Sequence, residues 1–135
     1  MKYIKVFESF DVREENTKND IYGIFVELVD LGYEIEVDID RSVTGDQIYV
    51  EISKDYFGDD LEKIREYVEM LEDYLKEYLN NYEVIYRAGY SFVSYDDNNL
   101  DYRYMGKTYN EFMKRMYEND FSKSLKSILI LVLEQ

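Results

Sequence analysis

The sequence contains no cysteine, histidine, proline or tryptophan. Without cysteine the chain has neither a disulfide nor a thiolate nucleophile. Without histidine it lacks the commonest acid–base side chain and the commonest ligand of transition metals. Glycine-rich phosphate loops, nucleophile elbows and calcium-binding loops are also missing. We therefore expect a protein that is not an enzyme and has no catalytic residue, metal site or cofactor.

The sequence also has no long apolar segment. The N-terminal stretch MKYIKVFESF lacks the apolar core of a signal peptide, and no run approaches the ~18 apolar residues of a membrane span. The 135 residues, 46% of them hydrophobic and 34% charged, suffice for one continuous core and show no linker or repeat. We expect a single domain over residues 1–135, located in the cytoplasm.

The acidic residues are concentrated in the middle of the chain. The net charge is −14, and residues 21–81 carry −12 of it, whereas residues 82–135 are nearly neutral. This charge opposes direct binding to nucleic acid or to an anionic membrane, so basic proteins are the natural electrostatic partners. The alternative is that the charge only keeps the protein soluble.

A strongly amphipathic helix is predicted over Asp59–Leu79, with Asp59 as its N-cap. Its apolar residues recur at steps of three and four and form one face, consisting of Leu61, Ile64, Val68, Leu71, Leu75 and Leu79. The opposite arc is a wall of carboxylates, consisting of Glu62, Glu66, Glu69, Glu72, Asp73 and Glu77. Several of these are like-charged pairs four residues apart, each costing a few tenths of a kcal/mol, so helix stability does not explain them.

An acidic hairpin is predicted just before this helix. The segment Tyr33–Asp40 alternates apolar and acidic residues, and Gln47–Ser53 repeats the alternation after a loop containing Gly45. The outward face of the hairpin then shows a row of four carboxylates, Glu34, Glu36, Asp38 and Asp40, with Tyr49 and Glu51 beside it.

The element order predicts an α+β fold. A first strand over Lys2–Phe10, a helix from Thr17 to Gly32, the hairpin, the long helix and a strand over Tyr82–Ala88 read βαββαβ. That order is the ferredoxin-like arrangement, with helices on one face of an antiparallel sheet. A C-terminal β-hairpin (Tyr90–Tyr95 and Leu100–Met105) and a helix begun by a Thr108–Glu111 capping box would extend it. The apolar run Leu125–Leu133 fits a strand or a helix, and we expect a helix because no turn signal precedes it.

The acidic faces are the leading functional candidate. Alternate strand residues lie ~6.6–6.8 Å apart, and successive phosphates along one strand of a duplex are separated by ~3.4 Å along the axis. The spacing of the four carboxylates therefore approximates the spacing of every second phosphate. We expect a nucleic-acid mimic that occupies the basic groove of a nucleic-acid-binding protein, with the helix as a second track. The partner-binding residues would be Glu34, Glu36, Asp38, Asp40, Glu51, Glu62, Glu66, Glu69, Asp73 and Glu77. The alternative is a solvated polar face.

Two further groups of residues suggest other functions. Asp38, Asp40, Glu51 and Lys54 suggest a metal-dependent nuclease, but two residues separate Glu51 from Lys54, which puts the lysine on the opposite face of a regular strand. The second half is rich in tyrosine, at positions 82, 86, 90, 95, 102, 104 and 109. These rings serve either the core or a protein-binding surface. The second candidate function is accordingly a structural or assembly protein, or a homo-oligomer, that uses this half and the apolar C-terminus.

The opening KYIKVFESF, with the acidic, tyrosine-rich and cysteine-free composition, resembles small acidic phage-encoded accessory and inhibitor proteins. The resemblance implies a phage or mobile-element origin and a place in the cytoplasm of the host. It further implies inhibition of host nucleic-acid-handling machinery, as anti-restriction and anti-CRISPR proteins do.

Overall fold

A computed structural model describes residues 10–41, 45–90, 100–118 and 124–134, which contain three helices and five strands. In chain order these are α1 Phe10–Asp30, β1 Glu34–Asp40, β2 Gln47–Ser53, α2 Leu61–Tyr78, β3 Tyr82–Tyr90, β4 Asp101–Gly106, α3 Tyr109–Glu118 and β5 Leu125–Glu134. The strands form one antiparallel sheet in the order β1-β2-β5-β3-β4. The predicted α+β class is confirmed.

The C-terminal apolar run is a strand, so the predicted helix over 125–133 is wrong. β5 lies at the centre of the sheet, between β2 and β3. Ile128, Ile130 and Val132 point to one face and are fully buried, while the intervening leucines point to the other face. The leucines on the other face are buried or half-buried as well, and a strand covered on both faces reads as a continuous apolar run. This explains why periodicity could not distinguish β5 from a helix.

The ferredoxin-like topology is also wrong. That arrangement requires the N-terminal strand between the hairpin and the strand after the long helix, and β5 takes this place instead. Most of the predicted Lys2–Phe10 strand lies outside the described residues, and Phe10 itself belongs to α1. The strand with the longest apolar run thus occupies the middle of the sheet.

The predicted ends of the first two helices are correct in one case and wrong in two. Gly32, with φ of 95°, ends α1: its N–H donates to Val29 O, and the N–H of Tyr33 donates to Leu28 O, which is a Schellman motif. The start of α1 is earlier than the predicted Thr17. The predicted Asp59 cap is wrong, because Asp60 occupies the N-cap position of α2. The carboxylate of Asp60 accepts a hydrogen bond from Tyr33 Oη at 2.5 Å instead of capping the helix.

The predicted hairpin and helix after β3 are found in part. β4 pairs antiparallel with β3, whereas residues 91–99, with the predicted strand over 91–95 and the turn, lie outside the described range. α3 begins as expected, since the Glu111 N–H donates to Thr108 Oγ1 at 3.1 Å. In return, the Glu111 carboxylate accepts a hydrogen bond from the N–H of Lys107, rather than from that of Thr108.

The core lies on one face of the sheet. Buried residues of all three helices pack there against β2, β3 and β5, in a cluster that includes Phe25, Leu71, Phe112, Val50 and Ile130. The other face, here called the open face, carries the leucines of β5 and the acidic residues of β1. Leu131 is buried on the open face but is not part of the core cluster. The assignment of the whole chain to a single domain stays a prediction.

Candidate functional site

The predicted hairpin is confirmed, and it places the acidic row on the open face. β1 and β2 pair antiparallel over their whole length. The alternate residues Glu34, Glu36, Asp38 and Asp40 are all exposed. The intervening residues Ile35, Val37 and Ile39 turn to the core face and are only half-buried. The period of two along a strand therefore produces four carboxylates in one line along the edge of the sheet.

The residues that face the row across the β1–β2 pair carry no positive charge. Across the β1–β2 pair, Glu36 lies opposite Glu51, and Asp40 lies opposite the neutral Gln47. Lys18 Nζ lies 3.8 Å from Asp38 Oδ1. The side chain of Asp38 is nevertheless 70% exposed, and such a surface pair contributes little.

Glu51 is held in a network that crosses the open face. Its Oε2 accepts hydrogen bonds from Tyr102 Oη and from Ser127 Oγ, the latter at 2.6 Å. The ring of Tyr102 reaches Glu51 by lying over Gly89, where an added Cβ would be only 2.9 Å from Tyr102 Cε1. Burial and the carboxylate of Glu51 raise the pKa of Tyr102 to about 12. Glu51 is thus tied to β4 and β5, unlike the exposed acids of β1.

The four residues of the suggested nuclease site do not come together in the structure. Lys54 turns to the core side, with its Nζ 4.3 Å from the ring centroid of Tyr33 and 3.5 Å from Asp60 Oδ2. Glu51 stays on the open face. Among the described residues, no group of three or more acidic side chains is arranged to hold a metal ion.

The acidic arc of α2 lies on the opposite side of the molecule from the β1 row. The buried face of α2 packs on the core, and the core separates the helices from the open face. The predicted arc residues Glu62, Glu66, Glu69, Asp73 and Glu77 are exposed on the outer side of the helix. The sixth member, Glu72, turns inward and accepts a hydrogen bond from Tyr86 Oη at 2.9 Å. The two predicted tracks therefore do not form one surface.

The tyrosines of the second half divide between core and surface. Tyr86, Tyr90 and Tyr109 are buried, and the ring centroids of Tyr86 and Tyr109 are 5.9 Å apart in an edge-on contact. Tyr102 and Tyr104 stay partly exposed on β4. Burial raises the pKa of Tyr90 to about 12 and that of Tyr109 further.

A cavity of about 280 Å³ opens where β1 begins and β2 ends. Two lysines and two carboxylates line it, and the lysines are engaged: Lys126 Nζ donates to Asp55 O at 2.7 Å, and Lys54 pairs with Asp60. These contacts leave no clear preference for an anion or a cation there.

One surface was missed by the sequence analysis. α1 exposes Tyr22, Val26 and Val29 on its flank, and β1 is an edge strand. The spacing of four and three residues marks the helical stripe in the sequence, but only the strand order shows that it stands beside a sheet edge.

Comparison with protein-family models, with curated proteins and with solved structures gives no match. In the described residues, no helix combines the length and the apolar character that crossing a membrane requires.

Proposed function

We propose that this chain is a non-enzymatic inhibitor that binds a nucleic-acid-handling protein and occupies its basic groove. The acidic row of β1 is the contact surface. The small acidic phage-encoded inhibitors that the sequence resembles include anti-restriction and anti-CRISPR proteins. The partner is a basic protein, and neither nucleic acid nor a membrane is bound directly.

One observation carries this proposal: four carboxylates stand in an exposed line along a sheet edge. A row of this kind presents negative charge at regular intervals, as a nucleic-acid backbone does. Fold stability does not account for it, because like charges that face each other across strands are destabilising, as at Glu36 and Glu51. Solubility would be served equally well by acids scattered over the surface.

The row of β1 is favoured over the arc of α2 for a geometric reason. Because the two acidic sets lie on opposite sides of the core, a single groove cannot contact both. Only the row is extended along an edge strand, and none of the other strands in the described ranges lies on its outer side to limit the approach of a partner. The α2 arc then serves as a solvated face.

The second candidate function, a structural or assembly protein or a homo-oligomer, has less support. An oligomer through the apolar C-terminus would need residues 125–134 at the surface, but they form the central strand β5. Tyr102 and Tyr104 remain exposed and belong to the same open face as the row. Association through that face would therefore compete with binding of the partner.

The proposal is tested with two chains of equal net charge. One carries Glu34→Lys, Glu36→Lys, Asp38→Lys and Asp40→Lys. The matched control carries Glu66→Lys, Glu69→Lys, Asp73→Lys and Glu77→Lys on α2. Each chain is used as bait in nuclease-treated lysate of the cells that carry the gene, and captured proteins are challenged with duplex DNA.

We expect the wild type and the α2 variant to capture the same nucleic-acid-binding protein, and DNA to release it. The β1 variant should capture none of it. Capture that survives reversal of the β1 row would contradict the proposal, as would a partner that DNA does not displace.

A further inference from the structure

We propose that the free edge of β1 takes up an extended segment of the partner as an added strand, with basic and apolar residues in alternation. The inference rests on the proposed function, from which it takes the basic character of the partner. It adds the mode of binding: main-chain pairing along β1, rather than contact of charges alone. Strand addition of this kind gives affinity through backbone hydrogen bonds and specificity through alternate side chains.

The edge itself supplies the backbone groups. β1 pairs with β2 along one side, and no strand among residues 10–41, 45–90, 100–118 and 124–134 pairs with its other side. In an antiparallel pair, alternate residues direct their N–H and C=O groups to the partner strand, and the remaining residues direct theirs outward. β1 therefore presents main-chain donors and acceptors that an extended segment can satisfy, except that the N–H of Ile39 already donates to Asp38 Oδ1 at 3.0 Å.

α1 forms an apolar wall beside this edge. Its α2-facing side is identified by two hydrogen bonds, Tyr67 Oη to Glu27 and Tyr74 Oη to Asp20. Its β1-facing flank is identified by Lys18, whose Nζ reaches past the outer edge of β1 to within 3.8 Å of Asp38 Oδ1 on the open face. An added strand would displace this one side chain. At 100° per residue, the side chains that share the flank of Lys18 are Tyr22, Val26 and Val29. They are 40%, 45% and 38% exposed, so this flank of the helix is uncovered.

The core-facing residues of β1 are less well covered than the residues that they face on β2. Ile48, Val50 and Ile52 on β2 are buried, whereas their β1 partners Ile39, Val37 and Ile35 are only half-buried. The exposed parts of these β1 side chains and of the α1 flank lie on the same side of the sheet. Apolar residues of an added strand would fill the space between them, and burial of this area favours binding.

Charge decides what occupies the edge. An added strand places its side chains directly opposite those of β1, about 4.5–5.5 Å away between Cβ atoms. On the open face, those positions meet Glu34, Glu36, Asp38 and Asp40, so lysine or arginine belongs there. A second copy of this chain added through β1 would bring four carboxylates against four, which is destabilising. The occupant is therefore a basic segment of another protein, with apolar residues at the intervening positions.

The test uses two synthetic peptides of identical composition. In one, lysine and valine alternate; in the other, the same lysines and valines form two blocks. Binding to the full chain is measured by calorimetry, and β1 amide protection is measured by hydrogen exchange with NMR. We expect the alternating peptide to bind about tenfold or more tightly than the block peptide. It should slow exchange at alternate residues of Glu34–Asp40.

Substitutions in the apolar wall of α1 distinguish binding by strand addition from binding by charge attraction alone. Val26→Ser with Val29→Ser should weaken the alternating peptide about tenfold and leave the block peptide unchanged. Met70→Ser, an exposed apolar residue on α2, is the matched control and should change neither. Both replaced sites are exposed, so the fold should persist, as the free chain's NMR spectrum will show.

Several outcomes would overturn the inference: equal binding of the two peptides, no new protection in β1, or β1 amides already protected along the outer edge in the free chain. A dimer formed through β1 at neutral pH would do so as well. If reversal of the acidic row abolishes partner binding while these tests fail, the proposed function stands and only strand addition is lost. If partner binding survives that reversal, the proposed function itself fails.

Discussion

Glu36 lies directly opposite Glu51 across the β1–β2 pair, so two carboxylates face each other on the open side of the sheet. Glu51 is anchored by hydrogen bonds from Tyr102 and Ser127, whereas Glu36 is exposed. A like-charged pair in this position weakens the hairpin. The binding role proposed for the acidic row therefore comes at some cost to the stability of the hairpin.

Neutralising Glu36 should therefore stabilise the fold and weaken the interaction with a basic partner. We expect Glu36→Gln to raise the free energy of unfolding by about 0.2–1 kcal/mol at low salt, because it removes the repulsion from Glu51. The measurement is urea unfolding at neutral pH. Glu34→Gln is the matched control, since Glu34 faces the neutral Ser53. An equal or larger gain from the control would show that the Glu36–Glu51 pair is not the cause.

Gly89 should be intolerant of a side chain because Tyr102 lies over it. An added Cβ would be 2.9 Å from Tyr102 Cε1 and 3.0 Å from Ser127 Cβ. We expect Gly89→Ala to destabilise the protein by about 1–3 kcal/mol, the usual range for overpacking. Combining it with Tyr102→Ala should recover part of that loss in a double-mutant cycle. Strictly additive effects would mean that Tyr102 does not make Gly89 necessary.

β5 should be essential to the fold, as the strand between β2 and β3. Ile130 is fully buried between Val50 and Tyr86. We expect Ile130→Ala to cost about 2–5 kcal/mol, and Leu129→Ala on the open face to cost less. Denaturant unfolding measures both. A chain shortened before Leu125 should not fold. A folded, cooperative truncated chain would contradict the central position of β5.

Alkaline pH should destabilise the protein through its buried and half-buried tyrosines. Burial and a hydrogen bond to Asp20 raise the pKa of Tyr74 to about 12, and burial raises that of Tyr90 to about 12. Because these pKa values exceed the ordinary 10.0, the stabilisation is complete below that pH and is lost as the pH rises towards 12. Urea unfolding across this range measures the loss, and Tyr74→Phe should reduce it. A free energy of unfolding that stays constant above pH 10.0 would contradict this prediction.

Local patterns in the sequence were enough to predict the elements that position the acidic row. The alternation in residues 33–40 predicted the exposed carboxylates, and the stripe from Leu61 to Leu75 predicted the buried face of α2. Gly32 predicted where α1 ends, and Thr108 predicted where α3 begins. In these cases the physical cause acts over a few residues of the chain, and the sequence displays it directly.

Long-range order could not be predicted in the same way. The apolar run of β5 has no polar face, so its length and composition suited a helix as well as a strand. Its insertion between β2 and β3 depends on pairing with residues some 80 and 40 positions away in sequence. The same strand order decides that β1 is an edge strand and that the α2 arc lies behind the core. The choice between the two acidic sets therefore needed the structure.

The most direct test of the acidic row is the affinity of the purified partner for the two charge-reversed chains at low and high salt. At about 0.1 M salt, the four lysine substitutions on β1 should weaken binding by about 100-fold or more, and the four on α2 by no more than about threefold. The affinity of the wild type should fall as salt rises, because the contact is ionic. Equal losses in both variants would mean that net charge alone drives binding. A loss confined to the α2 variant would place the contact on the helix and contradict the proposed role of β1.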